Sequence, residues 1–344
     1  MKKFFAVIGN PPYHETVAKI ETQNGQKRVS SIFHNFQIEA DKISENTELI
    51  YPAKRWIHRS GKGMYQFGLK QINDPRLAKL TVFPNAKDVF PTSADISDGI
   101  SIVLKQDNHK GNTFKYCNIE YPGESLLPIN PKDMVIMEKI SNFSKKYHLP
   151  FLSESILSQK LFGIESDYIE THSAQSQAYD GQTFDKNRYV KAYTNDKAGK
   201  AGRAKWFVIP QKDVAESARK YMDEWQVVVS SANAGGQKRS SSMEIIDNHS
   251  VFGRARVALR SFKTKQEAIN FRKYCLSSFI KFTFLLTDES LTSLGKWVPN
   301  VVDYTNKNSL IDFDKDIDKQ FSQLLSLSKK EQDYVSMRAK EYKE

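Results

Sequence analysis

The sequence predicts an α/β fold in its first third and a more irregular α+β region after it, and three observations carry that reading. Apolar runs of strand length alternate with stretches of helical spacing over residues 4–104. A Pro-rich break, YPGESLLPINP, interrupts the pattern at residues 121–131. Beyond residue 150 the strands become short and the loops rich in Gly, Ser, Asn and Lys. At 344 residues the chain exceeds the usual single-domain size, so more than one domain is expected.

The elements follow in order. Residues 4–8 (FFAVI) form a continuously apolar run, the kind buried on both faces of a parallel sheet. In residues 30–43, Ile32, Phe33, Phe36, Ala40 and Ile43 fall at helical spacing. Residues 48–57 read as a second strand entering a loop at Pro52, and residues 63–72 as a helix stopped by Asn73-Asp74-Pro75. Residues 78–83 and 99–104 are two more strands, expected as an antiparallel edge of a doubly wound sheet. Residues 132–148 look helical, residues 206–209 and 225–230 are short strands, and one helix is expected over 265–284. Near the C-terminus, Ile317, Phe321, Leu324 and Leu325 keep a helical period, and Ser328 with Glu331 caps a last helix. The domain division that follows is 1–122, a linker and helix over 123–149, 150–290, and a helical segment over 291–344.

Composition narrows the setting. The N-terminus lacks a full apolar h-region and cleavage site, and no run is long enough to span a bilayer, which predicts a cytoplasmic protein. Cys117 and Cys275 cannot build a disulfide framework and lack metal-ligand spacing, as do the seven scattered histidines. No metal site is therefore expected. The net charge of +11 favours a polyanionic partner. Residues 186–205 carry seven Lys/Arg against one Asp, and residues 237–265 seven against two acids. Lys238, Arg239, Arg254, Arg256 and Arg260 are the candidates for nucleic-acid contact, some on phosphate and one or two on guanine edges. Glu341-Tyr342-Lys343 has nuclease-like ExK spacing, but at a frayed terminus without an Asp partner it reads as a solvated helix end.

The chemistry concentrates in AVIGNPPYHE, residues 6–15. A strand ending in Asn10-Pro11-Pro12-Tyr13 places these groups at the carboxyl edge of a parallel sheet, where open α/β folds bind ligands. Pro11 and Pro12 fix two φ angles and donate no N–H. The Asn10 side-chain oxygen and the Pro11 carbonyl then converge as two acceptors, which suit an exocyclic –NH2 with two hydrogens to offer. Tyr13 presents a flat face on which a planar ring can stack. The alternative is a rigid turn that merely ends a strand.

The NPPY motif at residues 10–13 resembles the catalytic motif of adenine-N6-specific DNA methyltransferases of type II (IIG-like) restriction–modification systems. Residues 48–111 resemble the strand–loop–helix–strand–strand order that follows the motif there, and residues 293–335 resemble those enzymes' closing segment. The resemblance implies an incomplete Rossmann-like methyltransferase sheet followed by an α+β target-recognition domain. It also implies transfer of a methyl group from S-adenosylmethionine to an adenine flipped out of double-stranded DNA. Asn10 and Pro11 would hold the adenine N6 and Tyr13 would stack on the ring. Phe90 matches the aromatic that closes the other side, unless it is a core residue between two strands. Flipping costs a few kcal/mol of unstacking, which a two-sided aromatic slot returns.

The cofactor half of such a fold needs a strand, a Gly-rich turn and a helix. Gly61-Lys62-Gly63 lies in a later loop, and AGKAGRAK and NAGGQKR follow polar loops rather than buried strands. The expectation is therefore a chain lacking the N-terminal cofactor-binding half, whether truncated, split from a second polypeptide that supplies it, or repurposed. In that case the strand at residues 4–8 has an uncovered edge. Two other readings stay open: a DNA-specificity subunit or remnant without catalysis, and a methylase of protein glutamine amides.

Overall fold

The computed structural model describes all residues except 1, 18–27, 60–62, 93–95, 112, 118, 122–126, 200, 233, 237–241, 288–289, 307 and 344. The chain divides into two units, Met1–Val135 and Ile136–Glu344. Each is mixed α/β. Among the described residues no helix is long and apolar enough to cross a membrane.

The N-terminal unit opens with β1 (Phe4–Gly9), then a hairpin of β2 (His14–Val17) and β3 (Arg28–Ser31), then α1 (Phe33–Ile43). β4 (Ser44–Pro52), α2 (Lys54–Ile57), α3 (Met64–Ile72), β5 (Leu77–Phe83), β6 (Ile100–Gln106), β7 (Phe114–Tyr116) and β8 (Ile119–Tyr121) follow. The main sheet has the order β1-β4-β6-β5-β7-β8. β4 pairs parallel with β1, and β6 runs antiparallel to both β4 and β5. β1, β4 and β5 therefore point the same way, with one reversed strand inserted among them. The expected pairing of residues 78–83 with 99–104 is present, but β6 lies inside the sheet rather than at its edge. Ile100 and Val103 are fully buried, which is why it belongs there.

β1 departs from the sequence reading in burial. Among the described residues it pairs with β4 alone, and it is exposed along most of its length, with Phe4 at 54%, Phe5 at 77% and Ile8 at 74%. An apolar run read as doubly covered is an uncovered edge strand. On the sheet, Phe33 stacks on Tyr51 at 4.9 Å and packs against Phe67, with Trp56 fully buried beside them.

The C-terminal unit takes up α4 (Met134–Lys146), which begins two residues before the division and sends Ile136, Met137, Ile140 and Phe143 into its core. α5 (Tyr168–Thr171), β9 (Gln177–Ala178), β10 (Tyr189–Asn195), β11 (Ala204–Pro210), β12 (Trp225–Ser230), β13 (Glu244–Ile246), β14 (Ser250–Phe252) and β15 (Arg256–Phe262) follow. They form a four-stranded sheet, β14-β10-β11-β9, and a three-stranded sheet, β13-β12-β15. α6 (Lys265–Cys275), α7 (Ser278–Phe284), α8 (Ile317–Leu324) and α9 (Lys329–Ala339) complete the unit.

The single helix expected over 265–284 is two helices. Ser277 turns extended (ψ 152°) and its hydroxyl accepts from the Ile280 N–H. The Asp318 carboxylate accepts from the N–H groups of Ser278 and Phe279 at 3.1 and 2.8 Å, so the first orphan donors of α7 are met from outside. The Ser328–Glu331 capping box of α9 is present as expected. Beyond α9 the chain is not frayed at Tyr342: this ring is buried against the core near Phe284, and Lys343 N–H donates to Gly236. Tyr342 is therefore packed rather than solvated, while Glu341 and Lys343 on either side of it are exposed, as the solvated-end reading expected.

Candidate functional site

Asn10, Pro11, Pro12 and Tyr13 follow directly on β1, whose last residue Gly9 lies opposite Leu49 of β4. Two prolines and no ladder partner end the strand there. Past Tyr13 the chain enters β2, and the Tyr13 carbonyl accepts from Ile32 N–H at 3.0 Å, closing the loop against the start of α1. The motif is thus held on one side by the parallel pair β1–β4 and on the other by the β2–β3 hairpin. Asn10 and Pro12 are exposed, while Pro11 and Tyr13 are half-buried. Tyr13 packs on the core of the N-terminal unit, and its hydroxyl is buried without a hydrogen bond of good geometry. Burial pushes the Tyr13 phenol up, and the adjacent Asn10 side chain partly offsets that shift. Tyr13 therefore stays neutral at any physiological pH.

Phe90 stands after a short 3-10 turn, Ala86–Asp88, at the end of the loop that leaves β5. Its N–H donates to the Ala86 carbonyl at 2.9 Å. Since β5 runs parallel to β1, the Phe90 loop and the motif leave the same edge of the sheet. Their strands are separated by three strand spacings, ~14 Å, so any slot between the two rings depends on how the loop from Pro84 reaches back. Of the Gly61-Lys62-Gly63 segment, Gly63 is described: φ is +78° and it caps α3. Gly61 and Lys62 lie outside the described residues.

Beneath α1 and α3 the same unit holds a charged cluster that the sequence reading did not single out. Lys105, on β6 and 2% exposed, donates to Asp41 at 2.7 Å and to Asp74 at 2.8 Å. Arg76 joins Asp74 at 2.9 Å. Burial works against the Asp74 carboxylate, but hydrogen bonds from Arg76 and Lys105 and the Lys105 charge overcome it and hold the carboxyl well below its usual range. The available signal was a lysine inside the apolar run ISIVLKQ.

The predicted DNA contacts separate. Lys238 and Arg239 lie outside the described residues. Arg254 is paired with Glu165 at 2.5 Å, and Arg256 lies over the Tyr193 ring at 5.1 Å. Arg260 donates to the Asn300 side chain and to the Val302 carbonyl, and lies over Phe262 and Tyr304 at 5.3 and 5.1 Å. Its guanidinium is built into the fold, a role invisible in the GRARVALR string.

The other basic segment forms something different. An open recess of about 1110 Å³ is lined by Gln177, Arg188, Tyr189, Gln211, Lys212 and Arg219, among others. It lies at one end of the β9–β11–β10 face. Only the charge of residues 186–205 marked this region in the sequence; Lys212 and Arg219 lie outside that run.

Residues 1–90 match the Eco57I restriction-modification methylase family. Over 141 residues the chain is 29% identical to an uncharacterized adenine-specific methylase of Mycoplasma pneumoniae (strain ATCC 29342 / M129 / Subtype 1), a stretch that is 41% of this chain and 32% of that protein. The match thus spans about a third of that relative's length. Among solved structures, a chain of a type I R-M system overlaps 43% of this chain and 31% of its own, at 14% identity and a TM-score of 0.25. The type IIG restriction endonuclease BpuSI overlaps 87% of this chain and 47% of its own, at 8% identity and a TM-score of 0.31. Overlaps at those TM-scores carry no argument. The segment that contains Asn10, Pro11, Pro12 and Tyr13 is the one that matches, and by it the chain resembles the restriction–modification adenine methylases.

Proposed function

We propose that this chain is the base-handling and DNA-reading part of a site-specific DNA adenine-N6 methyltransferase of a restriction–modification system. One observation carries the reading: Asn-Pro-Pro-Tyr leaves the carboxyl end of β1, within the family-matched segment. In this reading double-stranded DNA is the substrate, and the adenine to be modified is flipped out of the stack. The Asn10 oxygen and the Pro11 carbonyl accept from the two hydrogens of the adenine amino group. Acceptors there keep electron density on the nitrogen as it becomes the nucleophile and stabilise the positive charge it acquires. Tyr13 stacks on one face of the base, and Phe90 closes the other.

S-adenosylmethionine, the methyl donor that the resemblance implies, does not fit the described residues. No Gly-rich strand-to-helix turn among them stands beside β1, and Gly63 caps a helix after β4 instead. The reading therefore includes a second segment or polypeptide that holds the cofactor. The exposed apolar edge of β1, with Phe4, Phe5 and Ile8, supports it, since further strands pair best on such an edge.

The test is expression with the natural flanking reading frames in a host free of adenine methylation, with N6-methyladenine mapped by sequencing. Methylation at one short motif is expected, and Asn10→Ala abolishes it while duplex binding survives. Methylation by Asn10→Ala at the wild-type rate would sink the catalytic reading; DNA binding without any methylation would leave a specificity subunit. Calorimetric titration of the chain alone with S-adenosylmethionine is expected to show no micromolar binding. Heat of binding there would refute the need for a second cofactor-holding segment.

A further inference from the structure

We propose that the recess at the end of the β9–β11–β10 face, with Arg188, Lys212 and Arg219, is where the chain takes the backbone of duplex DNA; the nature of the partner rests on the function proposed above.

The cations come first. Among the described residues, Arg188, Lys212 and Arg219 are exposed and none has a carboxylate in ion-pair reach. Arg254 and Arg260, by contrast, are engaged with Glu165 and Asn300. One acid lines the recess: Asp185 accepts from the Asn187 N–H at 2.9 Å. Cations without a carboxylate partner around a concave surface suit a phosphate chain, whose condensed counterions they displace. Arg188 also lies over the Tyr189 ring at 5.8 Å, which leaves its charge unneutralised.

The second observation is the amide set between them. Among the described residues the side chains of Gln177, Asn187 and Gln211 make no hydrogen bond, although all three line the recess. Asn and Gln amides can pair with the adenine edge, and Arg with the guanine edge, from the groove beside a bound backbone.

The aromatic face decides between duplex and single strand. Single-stranded binding uses open rings on which bases stack. Here the rings are engaged within the chain. Of those that line the recess, Tyr189 lies beneath Arg188 at 5.8 Å and Phe184 is stacked with His249 at 6.3 Å. On the adjoining face Arg256 lies over Tyr193, and Lys191 over Tyr179 and Trp206 at 5.5 and 5.4 Å. Lys191 is itself fixed by Asp247. Rings that already have partners in the chain are poor stacking platforms, which favours the regular backbone of a duplex.

The probe is a fluorescein-labelled 30-base-pair duplex of mixed sequence, titrated with the full chain across a range of salt concentrations. The variant combines Arg188→Ala, Lys212→Ala and Arg219→Ala, all exposed. A charge-matched control combines Lys315→Ala, Lys319→Ala and Lys329→Ala, whose side chains are 75–82% exposed near the C-terminus. The recess variant is expected to bind at least tenfold more weakly at moderate salt. Its log–log salt slope falls by about 0.9 for each phosphate that is no longer neutralised. The control keeps most of the wild-type slope. An unchanged slope in the recess variant, an equal weakening in the control, tighter binding of a single strand of the same length, or no duplex binding by the wild type overturns the proposal. The methylation test on Asn10 is independent, since duplex binding through the recess can hold while that reading fails, and the reverse.

Discussion

At the scale of single residues the most consequential arrangement is Lys105 between two carboxylates. Its ammonium is almost fully buried, and Asp41 and Asp74 keep only 12% and 13% exposure. Removing one partner of such a buried group leaves uncompensated charge in a poorly solvated place. Lys105→Met is accordingly expected to destabilise the N-terminal unit by about 3 kcal/mol at neutral pH, measured by urea denaturation. The pH dependence has a definite sign. The Asp74 carboxyl is held below its ordinary value, so it binds fewer protons folded than unfolded. Its contribution is present above about pH 4 and drains away as acid protonates it. The gap between wild type and Lys105→Met therefore narrows as pH falls below about 4, because the folded variant, lacking the cation, takes up a proton at Asp74 that folded wild type still resists. A gap that stays constant down to about pH 3 would mean that Lys105 acts through packing of its methylenes instead.

Elements owe their placement to contacts that a one-dimensional pattern records unevenly. Gly68 sits in the middle of α3, where a glycine reads as a flaw. A Cβ there would meet the Trp56 carbonyl oxygen at 2.0 Å, so the glycine lets α3 lie directly on the backbone of α2. Gly68→Ala, which would stabilise an isolated helix, is expected to cost about 2 kcal/mol here, read from the shift in denaturation midpoint. A neutral or stabilising effect would show that the two helices can part freely. The parts of the fold legible in advance were those with a local cause. The apolar period set α1, the Asn73-Asp74-Pro75 stop set the end of α3, the Ser328–Glu331 pair set the start of α9, and the strand-then-prolines order set the site loop. What was illegible depended on distant partners. The break between α6 and α7 needs Asp318, some forty residues on. The exposure of the β1 side chains, unlike its open edge, was not foreseen because the apolar run alone reads as covered on both faces. Within the candidate site, Asn10 and Tyr13 were visible because type and order alone define the motif. The engagement of Arg260 by Asn300, and the lack of a carboxylate beside Arg188 among the described residues, were not, since charge in a string does not tell which cations the fold consumes.

For the whole molecule, the distribution of cores governs how stability should be lost. The N-terminal unit has a core of its own around Tyr51, Trp56, Leu80 and Val103. The C-terminal unit has two, one around its helices and one between its sheets, and both draw on β12 and β15. Val227 and Val229 of β12 enter the helical core while Val228 enters the other, so those two cores cannot melt apart without breaking one strand. Two cooperative transitions are thus expected from a 344-residue chain rather than one or three. Variants can assign them. Lys105→Met acts on the N-terminal unit. Gly253→Ala acts on the C-terminal one, because a Cβ at Gly253 would meet Thr194 Oγ1 at 2.0 Å where β14 runs beside β10. Scanning calorimetry should show each variant lowering one transition, by roughly 2–8 °C for each kcal/mol of destabilisation, while leaving the other in place. A single transition lowered by both variants would mean that the two units unfold as one. A third transition sensitive to Gly253→Ala alone would mean that β12 does not couple the helical core to the sheets.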